Sequence, residues 1–270
     1  SLNLKKNKLF TKAERLISLR NLRPKKKEGF LKVISIFSFL GIMLGVAILI
    51  IVMSVMNGFK TDLTNKILGL NPHIVIESNS FKIENKFIDD LKKKNKNFNI
   101  SRTYSGEGIV VSNDNAKGVI IKGVDLNNEV SLKFLEENIS SGNLNKFKKN
   151  TAFIGAELAY NLELKAGDKI NLMSSSFVAT PFGGLPKQET YIVAGIFNTG
   201  FYEFDANIIF LNLKNSLSLF DKSDKDIDLE IFINNPIKAD FYKKKIQELN
   251  NDYYVYSWTD LNKSFFSALK

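Results

Sequence analysis

The sequence predicts a membrane-anchored α+β protein, in which one N-terminal transmembrane helix precedes an α+β domain that carries an inserted β-rich part. Residues 33–56 contain no charged side chain, which is the pattern of a transmembrane helix. Helix and strand patterns alternate in residues 59–115 and again in residues 226–270, whereas residues 116–225 consist mainly of short strand patterns. A β-rich unit inserted between the two halves of an α+β unit is the simplest arrangement of these patterns.

The N-terminal segment, residues 1–32, holds nearly all of the net charge. It has 11 basic and 2 acidic side chains, a net charge of +9 in a chain whose total is +10. Because the rest of the chain is nearly neutral, the basicity does not indicate a nucleic-acid partner. Thr11 to Glu14 form the pattern of a capping box, and the short amphipathic helix that it opens ends before Pro24. We expect this helix to lie along the inner leaflet, with its cations near the membrane lipids' anionic headgroups.

The uncharged run is long enough to cross a membrane, and we assign residues 33–58 to a transmembrane helix. As a helix, residues 33–56 would be about 36 Å long, compared with about 30 Å for the hydrocarbon core of a bilayer. A buried core helix of this kind would need a much larger soluble protein around it, and a signal peptide would have a shorter apolar stretch and a cleavage site. The basic N-terminal segment before the span predicts that residues 1–32 lie in the cytoplasm and that the domain after the span lies outside.

Two sets of residues in the span are candidates for contacts within the membrane. Ile50, Met53 and Met56 lie three residues apart and share a helix face, and methionine suits a surface that accepts variable acyl chains. The alternative is that this face packs on another helix. Gly41 and Gly45 have the spacing that lets two helices approach closely, either in a dimer or inside a bundle.

The segment after the span continues the helical pattern. Phe59, Leu63, Ile67 and Leu70 recur at helical spacing, so we expect an amphipathic stalk that packs one face on the outer domain and could transmit motion to it. In the β-rich middle part we expect one helix, at the stretch "AELAYNL".

The composition excludes several classes of enzyme site. The chain has no cysteine and one histidine, His73, which removes thiol nucleophiles and multi-histidine metal sites and leaves His73 as the one residue that could serve a Ser-His-Asp arrangement. It also lacks the G-x-x-x-x-G-K-[ST] pattern of a nucleotide-phosphate loop. His73 follows Pro72 at the start of a strand pattern, where we expect an ordinary surface or edge residue. The sequence therefore predicts no catalytic residue, no metal site and no cofactor.

Residues 174–189 are predicted to form a long loop between two strands. Such a connection is longer than an ordinary hairpin needs, and long loops without secondary structure tend to be functional or disordered. Its prolines would stiffen it, its glycines would let it turn sharply, and two apolar side chains would lie at its tip. These residues are Pro181, Phe182, Gly183, Gly184, Leu185 and Pro186. We expect the tip to bind a partner, and the alternative is that Phe182 folds back onto the domain.

Several blocks in order along the chain carry a resemblance to a known family. The opening "LRNLRPKKKEGFLKVISIFSFLGIMLGVAILIIVMSVMNGFKTDL" is followed by "ILGLNPHIVI", "GAELAYNLELKAGDKINLMSS", "TPFGGLP" and "FYEFDANIIFLNL". Together they resemble the lipoprotein-releasing permeases of the LolC and LolE family, within the larger MacB and FtsX group. The resemblance implies four transmembrane helices, with a periplasmic domain between the first and the second. This domain would consist of a Porter-like α+β part, residues 59–115 and 226–270, and a Sabre-like β-rich part, residues 116–225.

The chain would then be an N-terminal fragment, because it contains only the first of these helices. The resemblance implies a permease half in the bacterial inner membrane that extracts lipoproteins and passes them to a periplasmic LolA-like carrier. Its other partners would be a second permease half, or a second copy of itself, and a cytoplasmic LolD-like ATPase subunit.

In the family, a loop at the position of residues 174–189 forms a hook that captures the carrier. The positions of this sequence that match the motif are Thr180, Pro181, Phe182, Gly183 and Pro186, and we include Gly184 and Leu185 between them. Gln188 matches a polar neighbour at the base of the hook. Glu189 stands where we expect a basic residue, which weakens the expected electrostatic contact with the carrier.

Two other functions are compatible with the same patterns. One is a MacB-like efflux or export permease, and the other, from a different class, is a single-span anchor that holds a sensing or binding domain outside the membrane. The Gly41 and Gly45 spacing would support the anchor if it mediated dimerisation. The sequence leaves open whether the permease half is LolC-like, LolE-like or a merged form that pairs with itself.

Overall fold

The structure is a computed structural model, and it describes residues 12–21, 29–78, 82–112, 115–180, 183–250 and 252–263. The chain divides into two compact units, Ser1–Leu63 and Thr64–Lys270. In the described part, the helices are α1 (Lys12–Asn21), α2 (Gly29–Leu70), α3 (Asn85–Lys94), α4 (Glu129–Asn138), α5 (Ala156–Asn161), α6 (Tyr202–Asn207), α7 (Leu213–Leu219), α8 (Ala239–Leu249) and α9 (Trp258–Leu261). The strands are β1 (Ile74–Glu77), β2 (Asn99–Ser112), β3 (Asn115–Val124), β4 (Ile139–Gly142), β5 (Thr151–Gly155), β6 (Lys169–Thr180), β7 (Gly183–Phe197), β8 (Ile208–Asn212), β9 (Asp228–Phe232) and β10 (Tyr254–Ser257).

The first unit consists of α1 and most of α2. The segment Val33–Asp62 of α2 is long and apolar enough to cross a membrane, and it is the one such helix among the described residues. No part of its most apolar window is buried within the structure. The helix predicted over residues 33–58 is therefore present as a helix, and α1 occupies the place of the predicted amphipathic helix. The capping residue Thr11 and the terminating Pro24 lie outside the described residues.

The second unit is built on one ten-stranded sheet in the described part of the chain. The strand order is β10-β1-β9-β2-β3-β8-β5-β7-β4, and β6 pairs with both β2 and β7. Strand β2 joins the two predicted parts, because its beginning pairs with β9 and its later residues pair with β6 of the β-rich part. An ion pair between buried Glu230 and partly buried Lys122 also joins β3 to β9, with Lys122 Nζ 2.7 Å from Glu230 Oε1. The bounds of the Porter-like and Sabre-like parts remain a prediction.

Three apolar clusters form the core of the second unit. The first collects residues from both ends of the unit and includes Ile74, Leu91, Ile231 and Trp258. The other two collect residues from β2 to α7, and one of them is rich in phenylalanine under α4. Amphipathic helices cover the sheet because their apolar side chains are buried at helical spacing, as Ile88 and Leu91 are in α3.

Two expectations about the second unit are wrong. Within the described residues the middle part has four α-helices, α4 to α7, whereas only α5 was expected. The six-residue α6 and the seven-residue α7 were missed because such short apolar runs do not separate from strands by periodicity, and the ten-residue α4 was also not expected. His73 is buried rather than at the surface. Its ring is held against β9 by a backbone donor that lies 160 residues further along the chain. The stalk expectation is supported at its end, where Leu68 and Leu70 pack on the core clusters.

Candidate functional site

The predicted loop over residues 174–189 is a β-hairpin, so the expectation of an unstructured connection is wrong. Strands β6 and β7 continue to a pairing of Thr180 with Gly183, which leaves residues 181 and 182 as the connection. Gly183 has a φ of 114°, a conformation that glycine adopts without strain and that permits the tight return. Pro181 and Phe182 lie outside the described residues.

We call residues 174–189 the arm, and its outer part is exposed. The side chains of Phe177 and Leu185 are 68% and 60% exposed. These residues lie on opposite strands near the tip, where Phe177 pairs with Pro186 and Val178 pairs with Leu185. Pro186 has no N–H to donate to a ladder, which suits a two-stranded ribbon at the margin of a sheet. The outer arm therefore presents large apolar side chains to solvent, as a binding surface does.

The base of the arm is bonded to the end of α7. Ser174 Oγ donates to the Leu219 carbonyl at 2.7 Å, and Ser176 Oγ donates to the Phe220 carbonyl at 2.5 Å. Lys187 Nζ donates to the Ser218 carbonyl at 2.6 Å. The carbonyls at a helix C-terminus lack partners within the helix and carry partial negative charge, so hydroxyl and ammonium donors are favoured there.

These anchoring residues were not among the predicted site residues. The run of serines before Phe177 was visible in the sequence, but α7 lies more than 30 residues further along and its helix was not expected. The pairing of β6 with β7 shifts register between Met173 and Phe177, so the strand changes direction at the anchored serines. The arm is thus a ribbon fixed at its base and free of the core at its tip.

Gln188 and Glu189 lie on opposite faces of the arm, because successive side chains of a strand alternate. Glu189 accepts hydrogen bonds from Tyr191 Oη at 2.7 Å and from Ser218 Oγ at 3.1 Å, on the side that faces α7. Burial, with a contribution from the Glu189 carboxylate, raises the pKa of Tyr191. Gln188 is exposed on the other face, where it pairs with Met173. The acidic residue is therefore engaged within the domain rather than displayed beside Gln188.

The face of the sheet that carries Gln188 is open and partly aliphatic. Met173 pairs with Ile109, and Ile120 lies on the same face of the neighbouring strand. The side chains of Ile109 and Ile120 are nearly half exposed. We call Ile109, Ile120, Met173 and Gln188 the open face.

The candidate residues of the span lie in the first unit. Ile50, Met53 and Met56 are exposed on α2, and Gly41 and Gly45 have no atom within 4 Å of the position that a Cβ would take. Both sets are thus exposed along the helix, where lipid or another helix can reach them. Within the described residues, no group of three or more His, Asp or Glu side chains is placed to hold a metal ion.

Comparison with known proteins relates the chain to membrane transport proteins. A family profile described as "MacB-like periplasmic core domain" matches residues 35–240. The chain is similar to the lipoprotein-releasing system transmembrane protein LolC of Xylella fastidiosa, with 25% identity over 258 residues, 94% of this chain and 62% of the relative. It is also similar to the lipoprotein-releasing system transmembrane protein LolE of Haemophilus influenzae, with 33% identity over 166 residues, 59% of this chain and 40% of the relative.

Among solved structures, the periplasmic region of MacB from Actinobacillus actinomycetemcomitans aligns with a TM-score of 0.46 and 10% identity, over 73% of this chain and 93% of that one. The chain spans less than two thirds of the length of the curated relatives given above.

Proposed function

Because the chain belongs to the family of proteins with a MacB-like periplasmic core domain, we propose that it is part of a permease subunit that extracts lipoproteins from the bacterial inner membrane. One apolar helix followed by an α+β domain of this type is the predicted fold class, which is confirmed. The names of the LolC and LolE relatives support lipoprotein release in particular. The N-terminus would be cytoplasmic and the domain periplasmic, in agreement with the +9 charge before the span.

The work of such a permease is mechanical, and it requires an external source of energy. Burial of each CH₂ of an acyl chain is worth about 0.8 kcal/mol, so moving one long chain into water would cost on the order of 10 kcal/mol. We propose that a separate, LolD-like cytoplasmic ATPase subunit supplies this energy. In this proposal Ile50, Met53 and Met56 face the acyl chains, and the Gly41 and Gly45 face packs against a second permease half or a second copy.

The exposed arm is the observation that carries the rest of the proposal. We propose that it is a hook that binds a LolA-like periplasmic carrier, with its tip at Phe182 and Leu185 inserting into the carrier. An apolar tip on a ribbon whose base is fixed by three hydrogen bonds loses little freedom when it binds. Gln188 and the open face lie beside the base, where a bound carrier would contact them. Since Glu189 is bonded to Tyr191 and Ser218, the contact at this point would be polar rather than charge-paired.

Titration of the complete protein with its carrier tests the hook. Phe182→Ala should weaken carrier binding about 30-fold, the equivalent of roughly 2 kcal/mol, because it removes an aromatic anchor. Leu185→Ala should weaken it in the same direction by a smaller factor. The matched control is Tyr160→Ala, which removes an apolar side chain that is 81% exposed on α5, away from the arm.

Two results would contradict the hook. One is an equal loss of affinity in the Tyr160→Ala control. The other is unchanged affinity of Phe182→Ala together with a lower melting temperature, which would place the phenylalanine in the core. Export of a soluble compound without lipoprotein release would instead favour a MacB-like export permease.

A further inference from the structure

His73, the one histidine of the chain, is a joint between three segments of the second unit. Its ring Nδ1 accepts a hydrogen bond from the backbone N–H of Ile233 at 2.8 Å, in a buried environment. A backbone N–H can only donate, so the ring proton is on Nε2, and Nε2 donates to the Leu68 carbonyl at 3.0 Å. The ring therefore makes one directed hydrogen bond to each side.

The backbone of His73 adds two further connections. Its N–H donates to the Ile231 carbonyl at 3.0 Å, and its carbonyl accepts from the N–H of Trp258 at 2.9 Å. The ring also packs edge-on against Phe232, with centroids 5.8 Å apart. His73 thus connects the end of α2, the end of β9 and the start of α9.

The bond to Leu68 falls at the place where a helix needs a partner. Leu68 is in the last turn of α2, where the backbone carbonyls have no N–H donor within the helix. The ring supplies a donor, and the Leu68 side chain packs on the core cluster beside it. The end of α2 is therefore bonded to a buried group of the sheet.

The start of α9 is held by the same neighbourhood. Trp258 Nε1 donates to the Pro236 carbonyl at 2.9 Å, and Pro236 follows shortly after β9. Ser257 and Asp260 form a capping box at the first turn. The ends of α2 and β9 and the start of α9 are therefore all bonded to His73 or to its neighbours. A displacement of one of these segments would strain its bonds to the others.

We propose that His73 is a positioning residue that couples the end of the spanning helix to the sheet and to α9. This inference rests on the proposed function, because the motion that His73 would transmit from α2 to the sheet would serve lipoprotein release driven by a partner's ATP hydrolysis. The imidazole suits the task because its two nitrogens form an acceptor and a donor at a fixed separation in a rigid ring.

The first experiment compares ATP hydrolysis with lipoprotein release by the complete transporter in vesicles. His73→Phe keeps a ring of similar size but removes both ring hydrogen bonds, and it should lower the lipoprotein released per ATP about tenfold. His73→Gln should restore the ratio to near the wild-type value, because its amide offers one acceptor and one donor at a similar separation.

The matched control is Ile246→Ala, on α8, in the core cluster on which Leu68 packs. It should lower the melting temperature without changing the ratio of release to hydrolysis. Coupling by His73 is excluded if His73→Phe changes release and hydrolysis in equal proportion, or if the control changes the ratio as much.

A second readout does not depend on lipoprotein release. These 270 residues contain no cysteine, so spin labels can be placed at Thr64 on α2 and Lys238 after β9 in the complete protein once any cysteine elsewhere in it has been replaced. His73→Phe should broaden the distribution of distances between the labels, whereas Ile246→Ala should leave it narrow. Narrow distributions in both variants would contradict the inference that His73 holds the end of α2 to the sheet. If His73→Phe broadens the distribution of distances but the wild-type protein releases no lipoprotein, only the proposed function is overturned.

Discussion

Asp228, at the start of β9, makes the stability of the second unit depend on pH. Burial, together with the nearby carboxylates of Glu77, Glu230 and Asp226, raises the pKa of its carboxyl to about 7, and the hydrogen bond from the Ser78 N–H at 3.2 Å opposes the shift. Between the ordinary value of 3.8 and about 7, the folded protein binds more protons than the unfolded chain. The free energy of unfolding therefore falls as the pH rises through this window.

The substitution Asp228→Asn should stabilise the protein at pH 8 and have little effect at pH 5. The amide oxygen can still accept from the Ser78 N–H, and no charge is buried. We expect a gain of about 1 to 2 kcal/mol at pH 8, less than the full pKa shift implies because water partly screens the side chain. Urea unfolding at both pH values measures it. A gain of equal size at pH 5 would assign the effect to packing rather than to ionisation.

Single residues also show how far the sequence carried the candidate site. The exposed apolar and turn residues of the arm, such as Leu185 and Gly183, follow from their types and spacing. His73 does not, because its role depends on a backbone group 160 residues away, and a distance of that kind leaves no local pattern. At position 189 a basic residue was expected for the carrier contact; the glutamate found there is turned toward Tyr191 and α7 by strand alternation.

At the scale of elements, the link between the arm and α7 is testable through one hydroxyl. Ser174→Ala removes the buried donor to the Leu219 carbonyl and should cost about 1 to 2 kcal/mol of stability. Hydrogen exchange of the arm's backbone amides should become faster. The adjacent Ser175 is exposed, so Ser175→Ala is the matched control and should change neither quantity. Equal exchange in both variants would mean that the arm does not depend on this anchor.

The elements themselves were predictable where a pattern was long or strongly periodic. The 42-residue helix α2 covers the predicted span and stalk, and the amphipathic helices α3 and α8 lie in the two stretches where helix and strand patterns alternate. The arm was missed as a hairpin because prolines and glycines favour a loop, whereas in the structure they occupy a two-stranded ribbon with long-range support from α7. The short helix α6 was missed because its six residues are too few to show a helical period. It is held by buried Asp205, which accepts from the N–H groups of Thr199 and Gly200.

At the scale of the whole molecule, the orientation in the membrane is open to a direct test. A single cysteine at Ser140, on the exposed strand β4, should react with a membrane-impermeant thiol reagent once the outer membrane is permeabilised. A single cysteine at Ser18, in α1, should react only after the inner membrane is broken. The chain without an introduced cysteine is the control, since it has no native thiol. Reaction of the Ser18 position from outside would reverse the orientation and contradict the transport proposal.

The division into two parts was predicted from the change between alternating helix and strand patterns and a run of short strand patterns. The pairing of strands in the sheet could not be predicted in this way. Residues of the first core cluster come from both ends of the second unit, as an insertion requires. Strand β2, however, pairs with β9 at one end and with β6 at the other, so a single sheet runs through both parts. Strand pairing between distant segments is set by the complete fold and leaves no mark within either segment.

The position of β1 in this sheet has a consequence for biosynthesis. Both neighbours of β1, β9 and β10, are encoded about 150 residues or more after it. At roughly 5 to 20 residues per second, ribosomes need on the order of 10 to 30 s to make that stretch. During this interval the preceding span can already be inserted in the membrane, while the nascent strand β1 has both edges unpaired and its isoleucines uncovered. Strand β1 can be paired on both edges only after β9 and β10 have emerged, so this part of the sheet assembles late and from distant segments.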